Sequence, residues 1–267
     1  MKKLCVLLAI IITLTSTLVA CSKKASPASD FKYTLNEDKK HICINRYIGD
    51  DKDVVIPDEI DGYPVKMIMF AAFLKTDIES VTIPNTVEEI SERAFAYCKE
   101  LHTVNLGKSV KRIGFEAFIN CIKLKNISLP QKLEVVERDA FTDCDSIEKI
   151  NIPKTLTVMG EGAFFSMDSL TTIEFEQGLT KIGNYAAFQG CSSLQKVVIP
   201  RSVKEIGTTT FSACKSLKEI KFLGDAPEKT GEYIFGPPSK EITIYYKKNK
   251  SGWDTTPLKD EYTLIPY

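Results

Sequence analysis

A phenylalanine recurs through the chain at an almost constant interval, and this repeat constrains the fold more than any other feature of the sequence. Its spacings are 23, 23, 23, 24 and 23 residues. The positions are Phe95, Phe118, Phe141, Phe164, Phe188 and Phe211. A cysteine column follows at Cys98, Cys121, Cys144, Cys191 and Cys214, with Met167 in the missing position. A fixed period in the twenties is typical of a solenoid, in which each unit buries its apolar face against its neighbours.

One repeat unit, residues 124–144, shows how a single coil is built. Ile127 and Leu129 lie two residues apart and therefore face the same side of a short strand. The proline that follows ends the strand because it lacks an amide donor. The spacing of Phe141 and Cys144 suits one helical or 3₁₀ turn. The sequence predicts about seven to eight coils of ~23 residues, with a parallel β-sheet on one face and short turns or 3₁₀ segments opposite.

Five sequence elements recur in the same order: a leucine-rich strand, Ile-Pro, Ile-Gly, Ala-Phe and Cys. This pattern resembles the BspA-like leucine-rich repeats. The resemblance covers most of residues 42–267. It implies an N-terminal β-hairpin cap with a first atypical repeat over residues 31–76, leucine-rich repeats over 77–222 and a C-terminal β cap over 223–267. It also implies a non-enzymatic protein that interacts with another protein or with a host surface, as an adhesin does.

The N-terminal segment predicts export. Residues 1–20 have a positive start and a short apolar stretch, which is typical of a secretory signal peptide. The sequence Leu-Val-Ala-Cys that ends at Cys21 resembles a bacterial lipobox, which implies cleavage before Cys21 and acylation of that residue. On this resemblance, residues 21–30 are expected to form a lipidated cysteine and a flexible tether, and the protein is expected to be a membrane-anchored lipoprotein at the cell surface. The alternatives are an uncleaved anchor and a secreted protein in which Cys21 is incidental.

Charge and histidine content exclude several classes of function. The chain contains 35 basic residues (Lys and Arg together) and 35 acidic residues (Asp and Glu together). Because these charges are balanced and form no long runs of one sign, there is no electrostatic case for nucleic-acid binding. The sequence contains two histidines, His41 and His102, which restricts histidine-based zinc sites and acid–base catalysis. The sequence shows no convergent cluster of titratable residues. We expect a monomer without enzymatic activity, metal or cofactor.

The cysteine column has more than one interpretation. Cysteine packs as a small buried hydrophobe, and its period equals that of the coil, which favours a buried wall of free thiols. Neighbouring coils would also place the cysteines at a bridgeable distance of roughly 5 Å, and exported proteins tolerate disulfides. Met167 breaks such a pairing, and no Cys-x-x-Cys motif indicates redox or metal chemistry. We predict free thiols, with one or more bridges as the alternative.

The strand positions between the inward apolar residues form the candidate binding surface. These positions are mostly small or polar and include no aromatic residue, whereas hot spots of protein interfaces favour Trp, Tyr and Arg. The candidates are Thr82, Thr103, Asn105, Asn126, Ser128, Lys149, Asn151, Thr172, Glu174, Lys196 and Lys221. Such a rigid surface suits an unknown protein or host-surface ligand that it meets through many modest contacts. The alternative is a wall-facing structural spacer, or a lipoprotein that binds glycan or peptidoglycan.

Overall fold

A computed structural model describes residues 24–267. These residues form a solenoid of about ten turns of ~23 residues, which confirms the predicted fold. The helical elements in this range are a 3₁₀ turn at Ala28–Asp30 and α1 at Leu258–Glu261. In chain order, the strands are β1 (Phe31–Leu35), β2 (Ile42–Tyr47), β3 (Asp53–Val55), β4 (Glu59–Ile60), β5 (Tyr63–Ile68), β6 (Ser80–Thr82), β7 (Glu89–Ile90), β8 (Thr103–Asn105), β9 (Arg112–Ile113), β10 (Asn126–Ile127), β11 (Val135–Val136), β12 (Lys149–Ile152), β13 (Val158–Met159), β14 (Thr172–Phe175), β15 (Lys181–Tyr185), β16 (Lys196–Ile199), β17 (Glu205–Thr208), β18 (Glu219–Phe222), β19 (Lys229–Thr230), β20 (Thr243–Tyr246) and β21 (Thr263–Pro266).

The strands of the coils lie on two faces of the solenoid. The display sheet contains β3, β6, β8, β10, β12, β14, β16, β18, β20 and β21, and the lateral sheet contains β5, β7, β9, β11, β13, β15, β17 and β19. Equivalent residues pair in parallel, as Val81 does with Val104 in the display sheet and Ile90 with Ile113 in the lateral sheet. The sequence predicts short turns or 3₁₀ segments opposite the display sheet. The structure adds the lateral sheet, because each coil has a second short strand with its own inward apolar residue.

The hydrogen-bond ladders of the two sheets are interrupted at particular coils. The display sheet is interrupted between β10 and β12 and between β14 and β16, and the lateral sheet between β13 and β15. One coil is longer than the others, because Phe164 and Phe188 are separated by 24 residues. Its extra residue shifts the register of β15 and β17 between Ile182 and Tyr185. The interruptions around β14 and β15 therefore fall in and beside this longer coil.

The third wall of each coil is a turn that carries the Ala-Phe pair. Some amides bond to the carbonyl three residues back, as Cys144 N does to Phe141 O at 3.3 Å. Others bond to the next coil, as Phe118 N does to Ala140 O at 2.8 Å. Two residues before the phenylalanine the backbone is left-handed, with φ of 52° at Glu116, a conformation that costs a non-glycine residue roughly 1–2 kcal/mol. The turn is therefore strained, and hydrogen bonds to the neighbouring coil hold it in place.

The recurring phenylalanines stack ring on ring along the solenoid axis. All six are fully buried. Their neighbouring ring centroids lie 5.0 to 5.5 Å apart, with interplanar angles of 2° to 8°. The stack continues past both ends of the repeat: Phe73 lies 4.7 Å from Phe95, Tyr47 lies 5.2 Å from Phe73, and Phe235 lies 5.8 Å from Phe211. We call this stack, from Tyr47 to Phe235, the aromatic spine.

Both ends of the solenoid are closed by strands. At the N-terminal end β1 and β2 form an antiparallel hairpin, and β2 pairs in parallel with β5. At the C-terminal end β20 and β21 continue the display sheet in parallel. Trp253 stacks on Tyr246 at 4.8 Å, and Tyr262 meets Phe235 edge-on at 5.6 Å. The hairpin and β caps are as predicted. Because the cap strands continue the ladders, the solenoid has about ten turns instead of the seven to eight expected.

Part of the segment that the sequence predicts to be a flexible tether packs on the fold. Ser26 is buried and occupies the edge of β3. Its amide donates to Val55 O at 2.8 Å, and its hydroxyl accepts from Val55 N at 3.1 Å. Asp30 O accepts a further bond from Ile48 N at 2.8 Å. Since an open strand edge attracts other chains, this segment protects the end of the display sheet. Cys21 lies outside the described residues.

Ion pairs between coils run along the lateral sheet. The Glu88 carboxylate accepts hydrogen bonds from Lys66 and, at 2.9 Å, from Lys111. These two bonds lower the pKa of Glu88 to about 2. Arg112 similarly joins Glu89 at 3.8 Å and Glu137 at 2.6 Å. The Glu88 side chain is 37% exposed, so water screens its attraction to the lysines and the pairs contribute little to the free energy of unfolding.

Replacing one ring of the aromatic spine should destabilise the protein strongly. We expect Phe118→Ala to lower the free energy of unfolding by ~3–5 kcal/mol, because it leaves a buried cavity and removes two stacking contacts. The matched control is Phe70→Ala, since Phe70 is 56% exposed; it should change the free energy by less than about 0.5 kcal/mol. Urea unfolding measures both. Similar values for the two variants would show that the spine does not stabilise the fold.

The Glu88 ion pairs should stabilise the protein in a pH-dependent way. The pKa of Glu88 in the folded protein lies below the ordinary value of about 4.3. Its contribution is therefore fully present above about pH 4.3 and is lost as the pH falls through about 2. We expect Glu88→Gln to lower the free energy of unfolding by at most about 1 kcal/mol at pH 6, and the difference from wild type to shrink at pH 2–3. Exposed Glu161 supplies the control variant, Glu161→Gln. A Glu88→Gln effect that is independent of pH would contradict the assignment.

Candidate functional site

The candidate surface is the outward side of the display sheet, called here the display face. Strand register aligns its residues into columns that run along the solenoid: Thr103 lies between Ser80 and Asn126, and Glu219 lies between Lys196 and Thr243. The residues that the sequence proposes for binding are half-buried or exposed along this sheet, at Thr82, Thr103, Asn105, Asn126, Ser128, Lys149, Asn151, Thr172, Glu174, Lys196 and Lys221. The structure thus places the proposed residues on one side of the solenoid.

The part of the display face from β6 to β14 is polar and pairs with itself. Asn105 Nδ2 donates to Thr82 Oγ1 of the preceding coil at 3.2 Å. Lys149 forms an ion pair with Glu174 of the following coil at 2.6 Å. Exposed pairs of this kind stabilise the fold by only ~0–1 kcal/mol. These pairs nevertheless use hydrogen-bonding groups that a partner would need. This part of the display face therefore offers a partner little binding energy.

The display face becomes apolar and aromatic toward the C terminus. Register aligns Val198, Lys221, Tyr245 and Ile265 in one outward column. Val198 is 36% exposed, Ile265 40% and the adjacent Tyr267 42%. The Lys221 ammonium lies 4.4 Å from the centroid of the Tyr267 ring, a favourable cation–π contact. We call these five residues the aromatic end of the display face.

Most of the aromatic end is missing from the sequence-based prediction. Tyr245, Ile265 and Tyr267 lie beyond residue 222, where the recurring phrases stop. Their strands nevertheless continue the parallel ladder of β18. The sequence carries only a partial signal for them: Ile242-Thr243-Ile244 alternates as a strand does, but Tyr245-Tyr246 and Leu264-Ile265 are neighbouring apolar residues, which hides the outward positions.

A cleft of about 400 Å³ opens in the display face beside the interrupted ladder between β14 and β16. The Phe175 ring occupies an inward position of β14 and packs edge-on against Phe188 at 5.8 Å. Half of the lining residues are apolar: Ile173, Phe175, Val198, Pro200 and Leu223. The other half are polar: Thr171, Thr172, Glu174, Gln177 and Lys196. The cleft is small and of mixed polarity, which suits the insertion of one side chain of a partner.

The cysteine column is buried, and its thiols are free. Each thiol donates to the carbonyl of the spine residue in the preceding coil; the bond from Cys121 Sγ to Phe95 O and that from Cys144 Sγ to Phe118 O both measure 3.2 Å. Burial raises the pKa of Cys98 to about 11 and that of Cys144 still further. At neutral pH these thiols are protonated and therefore poor nucleophiles.

The polar side chains of residues 24–267 do not form a metal site. In this range no group of three His, Cys, Asp or Glu residues is placed to hold a metal ion. A cavity of about 830 Å³ near the turn wall contains both Arg93 and Glu116, but these two form an ion pair at 2.5 Å. No helix among the same residues has the length and apolar character needed to cross a bilayer.

Comparison with known proteins identifies the repeat. Residues 66–187 and 186–251 match the BspA type leucine rich repeat region in six copies. The leucine rich repeat protein TpLRR of T. pallidum is 33% identical over 78% of this chain and 86% of its own, with a TM-score of 0.59. A leucine rich cell surface protein from Faecalibacterium prausnitzii is 30% identical over 76% of this chain and 55% of its own, with a TM-score of 0.65. A leucine-rich repeat protein from Bacteroides ovatus, 22% identical over 88% of this chain and 75% of its own, shares the fold with a TM-score of 0.61. No curated protein sequence matches the chain.

The buried thiols should be inert in the native protein. We expect Cys98, Cys121 and Cys144 not to react with a thiol reagent at pH 8, because their raised pKa values leave almost no thiolate. Denaturation without reductant should make them reactive. Cys121→Ala should fold, whereas Cys121→Lys should not, since it buries an unpaired charge. Mass mapping under non-reducing conditions provides the check: a peptide that links Cys98 to Cys121 would mean that part of the column is a disulfide.

Proposed function

Because the chain belongs to the BspA-type leucine-rich repeat family, we propose that it is an exported, non-enzymatic binding protein whose display face recognises a protein on a host surface. The observation that carries this proposal is the aromatic end of that face. Protein interfaces are enriched in aromatic residues and in apolar side chains at their centre. Tyr245, Ile265 and Tyr267 supply this composition, and Val198 of the aromatic end lines the cleft that can receive a side chain.

The rigidity of the solenoid favours binding at the aromatic end. Tyr245 lies on a strand that is paired on both sides, by β18 and β21. Its backbone is therefore already ordered before a partner arrives, and association costs less conformational entropy. The Lys221 ammonium, held over the Tyr267 ring, adds a cation at the centre of the patch. A partner that combines an apolar side chain with a nearby carboxylate would complement both features.

Anchoring at the cell surface is a further part of the proposal. The lipobox resemblance makes Cys21 the acylated residue, and Ser26 is already packed against β3. The free link between the acyl chains and the fold is then only residues 22–25, which spans at most about 14 Å when fully extended. An anchored solenoid is therefore held close to the bilayer by its N-terminal end, and the aromatic end lies at the opposite, distal end.

Substitution within the aromatic end should weaken partner binding. The purified protein is tested against a panel of purified host extracellular proteins and against isolated bacterial wall. We expect Val198→Glu with Ile265→Glu to weaken binding to the recognised host protein about tenfold or more. The control, Asn105→Glu with Asn151→Glu, adds the same charge to the polar part of the face and should retain affinity. Equal losses in the two variants, or binding to the isolated wall alone, would contradict the proposal and favour a wall-facing spacer.

Replacement of Cys21 tests the anchor. Each methylene that leaves the bilayer costs ~0.8 kcal/mol of membrane affinity, so Cys21→Ser should move the protein from the membrane fraction to the soluble fraction. Cys43→Ser, which changes a cysteine inside the fold, serves as the control and should stay with the membrane. If cleaved Cys21→Ser protein remains with the membrane at high salt, the protein is not held there by acylation.

A further inference from the structure

A second regular surface runs along the edge of the display sheet where its strands end. It consists of the residue that lies two positions beyond the last inward residue of each display strand, as Asn85 does after Ile83. Lys108 N donates to Asn85 Oδ1 of the preceding coil at 2.9 Å, so successive members of this column are direct neighbours. From the N-terminal end, the column contains Asp58, Asn85, Lys108, Gln131, Lys154, Gln177, Arg201, Gly224 and Lys248. After Asp58, and apart from the glycine, amides and cations alternate. We call the part of this column from Asn85 to Lys248 the basic rim.

The cations of the basic rim are exposed and available. Within residues 24–267, none of Lys108, Lys154, Arg201 and Lys248 takes part in an ion pair, whereas display-face lysines such as Lys149 are paired with glutamates of the next coil. The two columns beside the rim each contain one carboxylate, and both carboxylates already accept hydrogen bonds. The Glu176 carboxylate accepts from Gln131, Asn151 and the Lys154 amide, and Asp225 accepts from the Ser251 amide. These carboxylates keep their negative charge, but the four cations outnumber Glu176, Asp225 and Asp58, so the rim is locally positive although the chain as a whole has no net charge.

The spacing of the rim is set by the coils. Neighbouring strands of a sheet are about 4.8 Å apart, so cations on every second coil are separated by about 10 Å. From Lys108 to Lys248 the rim extends over six coil steps, or about 29 Å. The aromatic spine stacks every coil on the next, and this stacking keeps the spacing constant along the column. The basic rim is thus a straight row of cations about 10 Å apart, with amide groups between them.

We propose that the basic rim binds a linear acidic polysaccharide that carries one carboxylate or sulfate group per disaccharide. A pyranose ring in an extended chain advances by about the length of one coil, so a disaccharide matches the distance between successive cations. The intervening amide of Gln177 can donate to and accept from sugar hydroxyls. The Gln131 amide donates one N–H to Glu176 at 2.6 Å and keeps its second N–H and its carbonyl oxygen for the same purpose. This surface lies beside the display face and does not include the aromatic end, so the inference is independent of the proposed protein-binding site.

Other anionic polymers fit the rim less well. Single-stranded nucleic acid carries phosphates about 3.4 Å apart and is normally held by aromatic stacking, but the rim column contains no aromatic residue. Peptide ligands gain specificity from pockets for apolar side chains, and the column contains no apolar side chain either. A hydrated, hydroxyl-rich chain with sparse charge requires neither of these features.

Binding of defined polymers to the purified full-length protein tests the proposal. The probes are fluorescent hyaluronan oligosaccharides, which carry one carboxylate per disaccharide, with dextran as the neutral chain and poly-glutamate as the acidic peptide. We expect hyaluronan to bind, dextran not to bind, and poly-glutamate to bind more weakly. The affinity should rise with oligosaccharide length until the chain spans the rim, and should fall as salt is added.

Two variants with equal loss of charge make the test specific. The rim variant combines Lys108→Gln, Lys154→Gln, Arg201→Gln and Lys248→Gln. The control combines Lys32→Gln, Lys99→Gln, Lys215→Gln and Lys229→Gln, which are exposed lysines elsewhere on the chain. We expect the rim variant to lose at least about tenfold in hyaluronan affinity, equivalent to 1.4 kcal/mol, and the control to keep the wild-type value. Absent hyaluronan binding, equal losses in both variants, or tighter binding of poly-glutamate would each overturn the proposal. Binding of a host protein at the aromatic end is measured separately and is unaffected by these outcomes.

Discussion

Stacking of the phenylalanine rings is the interaction on which the rest of the structure depends. Each ring of the spine contacts one ring above and one below, at 5.0 to 5.5 Å within the repeat. Strands in a sheet are spaced by about 4.8 Å, so a slightly offset ring stack and the two parallel ladders share nearly the same repeat distance. An isolated coil has neither a stacking partner nor a ladder partner. Folding is therefore a property of the array, and the strands that extend the array at both ends also extend the spine through Tyr47, Phe73 and Phe235.

The turn wall explains why cysteine, rather than another small apolar residue, follows the spine phenylalanine. The turn holds non-glycine residues such as Glu116 in a left-handed conformation, and its carbonyls are buried beside the rings. A buried carbonyl has two acceptor positions. In Phe95, the carbonyl accepts from the amide of Cys98 in its own coil and from the thiol of Cys121 in the next. Cysteine fills a small apolar space and adds a weak donor; Met167 fills the space without the donor.

Periodicity in the sequence predicts much of this fold, because the spine, the cysteine column and the display sheet all recur with the coil. The lateral sheet could not be predicted in this way. Some of its strands have only two residues and one inward side chain, such as Ile90, and a strand this short shows no alternation. The cap strands could not be predicted from periodicity either, because they pair in register with the repeats but do not contain the repeat motif. Tyr245 is therefore not recognised from the sequence as part of the display face. The packing of Ser26 on β3 involves no apolar side chain and has no sequence signal. The longer coil is visible as a spacing of 24, but the cleft beside it depends on how Phe175 packs.

The two proposed surfaces use one repeating frame in different ways, and this difference follows from how their side chains change from coil to coil. On the display face the side chains change from polar and paired near Thr82 to aromatic at Tyr245, so binding energy is concentrated at one end and a compact partner is favoured. Along the basic rim the chemistry alternates with little change, so binding energy accumulates with every second coil and a long, regular partner is favoured. Both surfaces depend on the spine for their rigidity, because the spine fixes the distance between coils. A frame that places every coil at the same distance from the next can therefore present a localised site and a periodic site side by side.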